Sequence, residues 1–231
     1  MKSLVIIPTY NEAGNIENLV RSIHQKKIDT DILVVDDNSP DGTGEIVKKL
    51  QSEFPRLHLL SRPGKSGLAK AYIAGFRWGL EQGYDWFVEM DADFSHRPED
   101  LQKIITSFEG HDFVVGSRYT AGGATENWGL MRKSISKGGS LYARVILGYP
   151  INDWTGGFNA WSRKALEEID IDKLQSEGYS FQIELKYKAM KKNLKGTEVP
   201  ILFADRKAGE SKMSMKIVVE AFYRVWILRF V

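Results

Sequence analysis

The sequence predicts an α/β protein, with a mostly parallel sheet covered by helices on both faces. Two observations carry that expectation. Short apolar, β-branched runs recur through the first half of the chain, as strands buried on both faces require. Each is followed by a segment with apolar residues at helical spacing. Leu4-Val5-Ile6-Ile7-Pro8 reads as the first strand, and Ile16, Leu19, Val20 and Ile23 mark the helix behind it. Ile32-Leu33-Val34-Val35 is the second strand, with a helix through Ile46, Val47 and Leu50. Leu57-His58-Leu59-Leu60 is the third, followed by a helix from Leu68 to Leu80. Trp86-Phe87-Val88 is a short fourth strand, then a helix opens at Pro98, a residue suited to a first helical turn. Phe113-Val114-Val115 is the fifth. Beyond it the alternation loosens. Ser117 to Gly129 reads as a mobile Gly-rich loop, Met131 to Leu147 as a helix, Asp153 to Phe158 as a tight turn, Tyr179 to Met190 as a helix and Thr197 to Phe203 as one strand.

The chain has 231 residues, enough for one large domain with or without a subdomain. Hydrophobic residues make up 42% and charged residues 27%, ordinary values for a soluble globular protein. The net charge of +2 gives no case for nucleic acid, and zero Cys excludes disulfides and thiolate metal sites. Met1-Lys2-Ser3-Leu4 runs straight into a strand pattern without the marks of a signal peptide. No apolar run approaches the ~20 residues that span a bilayer.

In a parallel α/β sheet ligands bind at the carboxyl ends of the strands. The polar candidates fall there: Tyr10 and Glu12 after the first strand, Asp36 and Asp37 after the second, Asp91 and Asp93 after the fourth. In extended chain, residues i and i+2 face the same side, so Asp91 and Asp93 can converge on one point. Two hard oxygen ligands suit Mg²⁺ or Mn²⁺, particularly an ion that also holds substrate phosphates. The plainer alternative is a polar turn in which Asp93 caps the next helix. His96 is open between a third metal ligand and a turn role.

Other features are weaker. Gly64-Lys65-Ser66 resembles the end of a P-loop, but Leu59 stands where its first glycine belongs. Lys65 is open between a phosphate contact and a solvated turn. No Gly-x-Gly-x-x-Gly follows the first strand, so a dinucleotide fingerprint is absent. Arg118, Arg132 and Arg206 sit in polar, Gly- or Ser-containing surroundings, where a planar fork of donors suits phosphate and a surface role is the alternative. Glu184 is open between a substrate contact and a polar helix face. From Lys216 to Val231 a helix carries Lys216, Glu220 and Arg224 on one face and Ile217, Ala221, Val225 and Leu228 on another. With Phe222, Trp226 and Arg229 beside them it suits a helix lying in a membrane interface, or one docked on the core.

Several motifs together resemble a known set: Ile7-Pro8-Thr9-Tyr10-Asn11-Glu12, Val35-Asp36-Asp37-Asn38-Ser39, Met90-Asp91-Ala92-Asp93-Phe94-Ser95-His96, Gly116-Ser117-Arg118-Tyr119, Thr155-Gly156-Gly157-Phe158 and Gly209-Glu210-Ser211-Lys212. They are similar to those of inverting nucleotide-sugar glycosyltransferases with the GT-A (Rossmann-like) fold. Within these the chain resembles the dolichol-phosphate (polyprenol-phosphate) mannosyltransferases, of the short type without transmembrane helices. The resemblance implies residues 1–212 as the catalytic domain and 213–231 as an amphipathic helix. It implies GDP-mannose as donor, Mg²⁺ or Mn²⁺ as cofactor and a polyprenyl (dolichyl) phosphate as acceptor, at the cytoplasmic face of a membrane, with a small membrane-anchoring subunit as a further partner. It puts Pro8, Tyr10, Glu12, Val35 and Asp37 around the nucleoside. Asp91, Ala92 and Asp93 fall at the metal and diphosphate, Arg206 and Lys212 near the diphosphate, and Arg118, Arg132 and Ser136 at the acceptor phosphate. Ser95 occupies the place where some relatives carry a metal-binding glutamine, and His96-Arg97-Pro98 departs from a commoner His-Pro-Pro.

The implied reaction is direct displacement with inversion. Asp91, Asp93, Arg118 and Arg132 would act by charge and position, since a phosphate monoester's second pKa is ~6 and its oxygen is already ionised. The competing expectations are a UDP-glucose-dependent polyprenyl-phosphate glucosyltransferase and a non-catalytic nucleotide-sugar-binding scaffold.

Overall fold

The computed structural model describes residues 1–176, 178–204 and 215–230; for Tyr179 and residues 215–221 it describes the backbone only. The chain opens with three parallel strands, β1 (Ser3–Thr9), β2 (Asp31–Asp36) and β3 (Leu57–Ser61), alternating with helices α1 (Ile16–Gln25), α2 (Thr43–Leu50) and α3 (Leu68–Glu81). β4 (Trp86–Glu89), α4 (Pro98–Thr106) and β5 (Phe113–Ser117) continue the pattern. Then come a short β6 (Ala124–Thr125), the long α5 (Leu130–Leu147), β7 (Asn159–Ser162), α6 (Arg163–Ile169), α7 (Gly178–Lys191), β8 (Gly196–Pro200), β9 (Leu202–Phe203) and α8 (Met215–Phe230).

Among the described residues the main sheet has seven strands in the order β3-β2-β1-β4-β7-β5-β8. β7 runs antiparallel to both neighbours and the other pairings are parallel. Strand alternation divides the core. Leu4, Ile6, Leu33, Val35 and Phe87 pack on one face with α3, α6 and α7, whereas Val5, Ile7, Ile32, Val34 and Val88 pack on the other with α1, α2 and α4. Close approach of α3 rests on two glycines. A Cβ at Gly75 would stand 2.6 Å from Ile6 Cγ2, and one at Gly79 2.5 Å from Phe87 Cε1.

The order reverses direction at β1, which has β2 on one side and β4 on the other. That switch point opens a crevice above the strand ends. Three expectations are corrected. Residues 117–129 are not simply a loop, because Ala124–Thr125 pair with Leu202–Phe203 in a second sheet. The run from Thr197 to Phe203 is two strands. β8 ends at Pro200, and Ile201 N–H turns to Ser117 O before β9 begins. The antiparallel β7 and helix α6 were not expected; β7 is only four residues long and carries Asn and Ser at its ends. α8 docks on the body through Val225, 2% exposed, and a Tyr142–Phe222 ring contact at 4.2 Å. It nevertheless leaves Phe222, Tyr223, Trp226 and Phe230 exposed.

Candidate active site

One cavity of about 460 Å³ lies over the switch point. Its lining includes Pro8, Tyr10, Glu12, Asp37, Lys65, Asp91, Ala92, Asp93, Arg118, Arg132 and Ser136. Residues expected at the donor and at the acceptor therefore face one space. Val35 and Ser95 do not line it. The Val35 side chain is core, and Ser95 is 1% exposed within the turn below Asp93. Arg206 and Lys212 lie outside the described residues.

The acidic wall is built at strand tips. Asp36 is structural: it accepts from Thr9 Oγ1 at 2.9 Å and Ser39 Oγ at 2.6 Å, tying β1 to the loop after β2. Asp37 accepts from Arg62 at 2.7 Å and from Ser66 N at 3.1 Å, which sets the loop that brings Lys65 over the Tyr10 ring, 4.3 Å from its centroid. Asp91 receives the Tyr72 hydroxyl at 3.3 Å. Asp93 Oδ1 accepts from Ser95 N at 3.0 Å and Ser95 Oγ at 2.6 Å. The residue between, Phe94, has φ +64°, a left-handed backbone that a bulky side chain rarely adopts. Such strain clusters at working sites. His96 takes up the turn role. Its Nδ1 lone pair accepts the Asp91 backbone N–H at 2.9 Å, so the proton sits on Nε2. Burial lowers its pKa, and the neutral ring stacks on Phe158.

The basic wall is built around a buried ion pair, with Arg132 and Ser136 half-buried beside it. Arg118 is 7% exposed and grips Asp153 through Nε and Nη2, both at 2.7 Å, while Nη2 also reaches Thr155 Oγ1 at 2.9 Å. Burial alone would raise the Asp153 pKa, but Arg118 holds it below the ordinary value. Arg132 lies over the Trp128 ring, 4.0 Å from its centroid, and Arg118 reaches the same ring at 5.5 Å. Ser136 Oγ accepts from the Tyr119 hydroxyl at 2.7 Å.

Beneath both walls runs a buried polar network. Glu89, two residues before Asp91, accepts from Gln182, Asn159 and Trp161, and burial pushes its pKa up to about 7. Lys186, four residues beyond Gln182 on α7, donates to backbone oxygens of Asp153, Trp154 and Gly156. Sequence reasoning missed Glu89, Trp128, Asp153, Gln182 and Lys186. The available signal was α7 itself, whose apolar residues surround polar ones all round. Such a helix is buried on every side, so its polar residues need partners. Glu184, once open to a substrate role, instead accepts from Gln175 N and Ser176 N.

Two carboxylates aimed into a cavity offer a divalent cation hard oxygen ligands. Among the described residues no group of three or more His, Asp or Glu could cage a metal. The donor set therefore fits an ion that completes its shell with phosphate oxygens and water.

Fold and site together define a nucleotide-sugar transferase of the GT-A type. Residues 4–170 match the family described as Glycosyl transferase family 2, and the chain belongs to that family. It is 46% identical to an undecaprenyl-phosphate mannosyltransferase of Micrococcus luteus, over 97% of this chain and 93% of that protein. It is 45% identical to a polyprenol monophosphomannose synthase of Mycolicibacterium smegmatis, over 99% of this chain and 88% of that one. Among solved structures, a Pyrobaculum calidifontis mannosyltransferase in complex with GDP-Man and Mn²⁺ shares the fold, with TM-score 0.63 and 18% identity over 99% of this chain and 63% of that one.

Proposed function

We propose that the chain transfers mannose from GDP-mannose to a polyprenyl phosphate, with inversion, to give a polyprenyl β-mannosyl phosphate. The observation that carries the reading is the single cavity faced by Asp91 and Asp93 from one wall and by Arg118, Arg132 and Ser136 from the other. The two relatives matched over nearly their full lengths support the choice of sugar and lipid.

Asp91 and Asp93 would hold Mg²⁺ or Mn²⁺, which when bound would supply charge neutralisation to the leaving diphosphate. Pro8, Tyr10, Glu12 and Asp37 surround the nucleoside, with Val35 supporting from the core, and Arg206 and Lys212 add positive charge at the diphosphate. Arg118 and Arg132 orient the acceptor phosphate. One of its oxygens forms the new bond to the anomeric carbon as the bond to GDP breaks on the opposite face. That oxygen is already ionised near neutral pH, so no side chain needs to remove a proton. Catalysis is then positioning and electrostatics.

The acceptor's tail implies a membrane surface. α5 contains no Asp or Glu, and it presents Leu130, Met131, Leu141 and Val145 beside Lys133, Lys137 and Arg144. The exposed aromatics of α8 lie next to it. Apolar and basic residues interleaved this way suit the interface of an anionic leaflet, here the cytoplasmic one. Among the described residues no helix is long and apolar enough to cross a membrane.

The test is incubation with GDP-mannose, Mn²⁺ and a short polyprenyl phosphate. A mannosylated lipid should pass into organic solvent, and Asp93→Ala or excess chelator should abolish it. Transfer from UDP-glucose instead, or nucleotide binding without any release of GDP, would overturn the reading. Binding of the isolated chain to phosphatidylserine vesicles separates a lipid surface from a protein anchor.

A further inference from the structure

We infer that Lys186 is a positioning residue for the acceptor phosphate, acting through Asp153 on Arg118. The inference rests on the acceptor role proposed above for Arg118.

The Lys186 side chain is completely buried. Its ammonium donates to three carbonyls of one turn: Gly156 O at 2.7 Å, Asp153 O at 3.0 Å and Trp154 O at 3.2 Å. A buried ammonium is costly unless its donors are met, and here all three are. The turn's N–H groups go the other way. Asp153 N donates to Glu198 Oε1 at 3.0 Å, and Gly156 N donates to the Asp153 carboxylate at 2.9 Å. The cation gathers the carbonyls while carboxylates gather the amides. Between them the Asp153 side chain is left with one orientation, both oxygens on Arg118.

Space is equally restricted. A Cβ on Gly156 would stand 3.1 Å from the Asp153 carboxyl group, so the turn closes tightly around it. Without Lys186 the Asp153 and Trp154 carbonyls would lose their side-chain donor, Gly156 O would keep only Asn159 Nδ2, and the turn would open. Asp153 would then release the guanidinium that it holds toward the cavity. The hydrogen bonds of the Lys186 ammonium all go to the turn that carries Asp153. Its effect therefore falls on the acceptor phosphate and leaves the nucleotide alone.

The test compares Lys186→Met, Asp153→Asn and their double variant with wild type, using GDP-mannose, Mn²⁺ and farnesyl phosphate. GDP with Mn²⁺ should raise the melting temperature of every variant, reporting an intact donor site. The KM for farnesyl phosphate should rise about tenfold or more in each single variant, with the KM for GDP-mannose within about twofold. The double variant should be little worse than either single one, since both act through the same guanidinium. Equal rises in both KM values, or additive losses, would make Lys186 a general packing residue and overturn the inference. Should Lys186→Met fail to fold, Lys186→Gln carries the same expectation, and a wild-type acceptor KM there overturns it as well. If neither variant binds GDP, Lys186 is a folding requirement and the inference is lost. Arg118→Lys separates the two proposals. It should raise the acceptor KM; if it does not, the acceptor reading itself fails, whereas a failure confined to Lys186 leaves that reading standing.

Discussion

The two walls of the cavity are made by different means. The acidic wall is a set of strand tips: β1, β2 and β4 end side by side, and each delivers its polar residues within a few positions of its last paired residue. Asp91 there keeps about 30% of its side chain exposed. The basic wall is assembled across long stretches of sequence, with Arg118 meeting Asp153 from 35 residues away and Lys186 reaching back 33 residues to Asp153 O. Asp153 and Lys186 are wholly buried. The charge of the part-exposed Asp91 can be removed without leaving an oppositely charged partner stranded in a dry interior. That of Arg118 cannot, because its partner stays buried and uncompensated. Neutralising Asp91 should thus cost activity alone, and neutralising Arg118 should cost activity and stability together.

The largest expected effect tests the first half of that contrast. Asp91→Asn keeps an acceptor for Tyr72 but removes the charge, and kcat/KM should fall by at least a factor of about 100. Its melting temperature without ligands should stay near wild type. A variant that instead unfolds would make Asp91 structural and merge the two walls. Next, Arg118→Ala should lower kcat/KM for the lipid phosphate by a similar factor of about 100 and also destabilise the chain by about 3 kcal/mol, because Asp153 is left buried without its partner. Urea midpoints measured beside the kinetics decide this. An inactive Arg118→Ala of wild-type stability would break the comparison.

The same contrast governs what could be read from the sequence. Strand tips are legible because strand periodicity and turn residues are local. Asp91 and Asp93 stand on one side of an extended chain whatever the rest of the fold does, and Tyr10, Glu12 and Asp37 follow from the parallel order. The family resemblance reached Arg118, Arg132 and Ser136. It did not reach Asp153, Lys186 or Trp128, whose roles exist only once β5, α5 and α7 are packed. The break of the last strand at Ile201 was hidden for a like reason: Ile201 N–H bonds to Ser117 O, a partner more than eighty residues away. Ser95 and Val35 mark the opposite limit. The motif put Ser95 at the metal and Val35 at the nucleoside, yet burial turned one toward supporting Asp93 and the other into the core.

A smaller effect sharpens the picture of the basic wall. Trp128 lies under Arg132 and beside Arg118 and is 9% exposed. A desolvated cation–π contact contributes about 1–2 kcal/mol. Trp128→Leu should therefore raise the KM for farnesyl phosphate about tenfold, and Trp128→Phe, which keeps a ring, by less. The GDP-induced shift in melting temperature should be the same in both. If Trp128→Leu weakened GDP binding as well, the aromatic would belong to both walls.

The smallest effect probes the dryness around Asp153 directly. Burial lowers the Lys186 pKa from 10.5 to about 8, against the pull of Asp153, Glu89 and Glu198 and with the push of Arg118. An unfolded lysine keeps its proton to about pH 10.4. Between these values the unfolded chain binds a proton that the folded chain does not, so stability gains from rising pH. Lys186→Met has no such group. Between about pH 8 and 10 the stability of wild type relative to Lys186→Met should increase by on the order of 1 kcal/mol per pH unit. Urea midpoints of the two proteins across that range measure it. A difference that stays flat would mean that Lys186 titrates like a solvated lysine. The surroundings of Asp153 would then be as wet as those of Asp91, and the combined loss of activity and stability expected of Arg118→Ala would lose its physical basis.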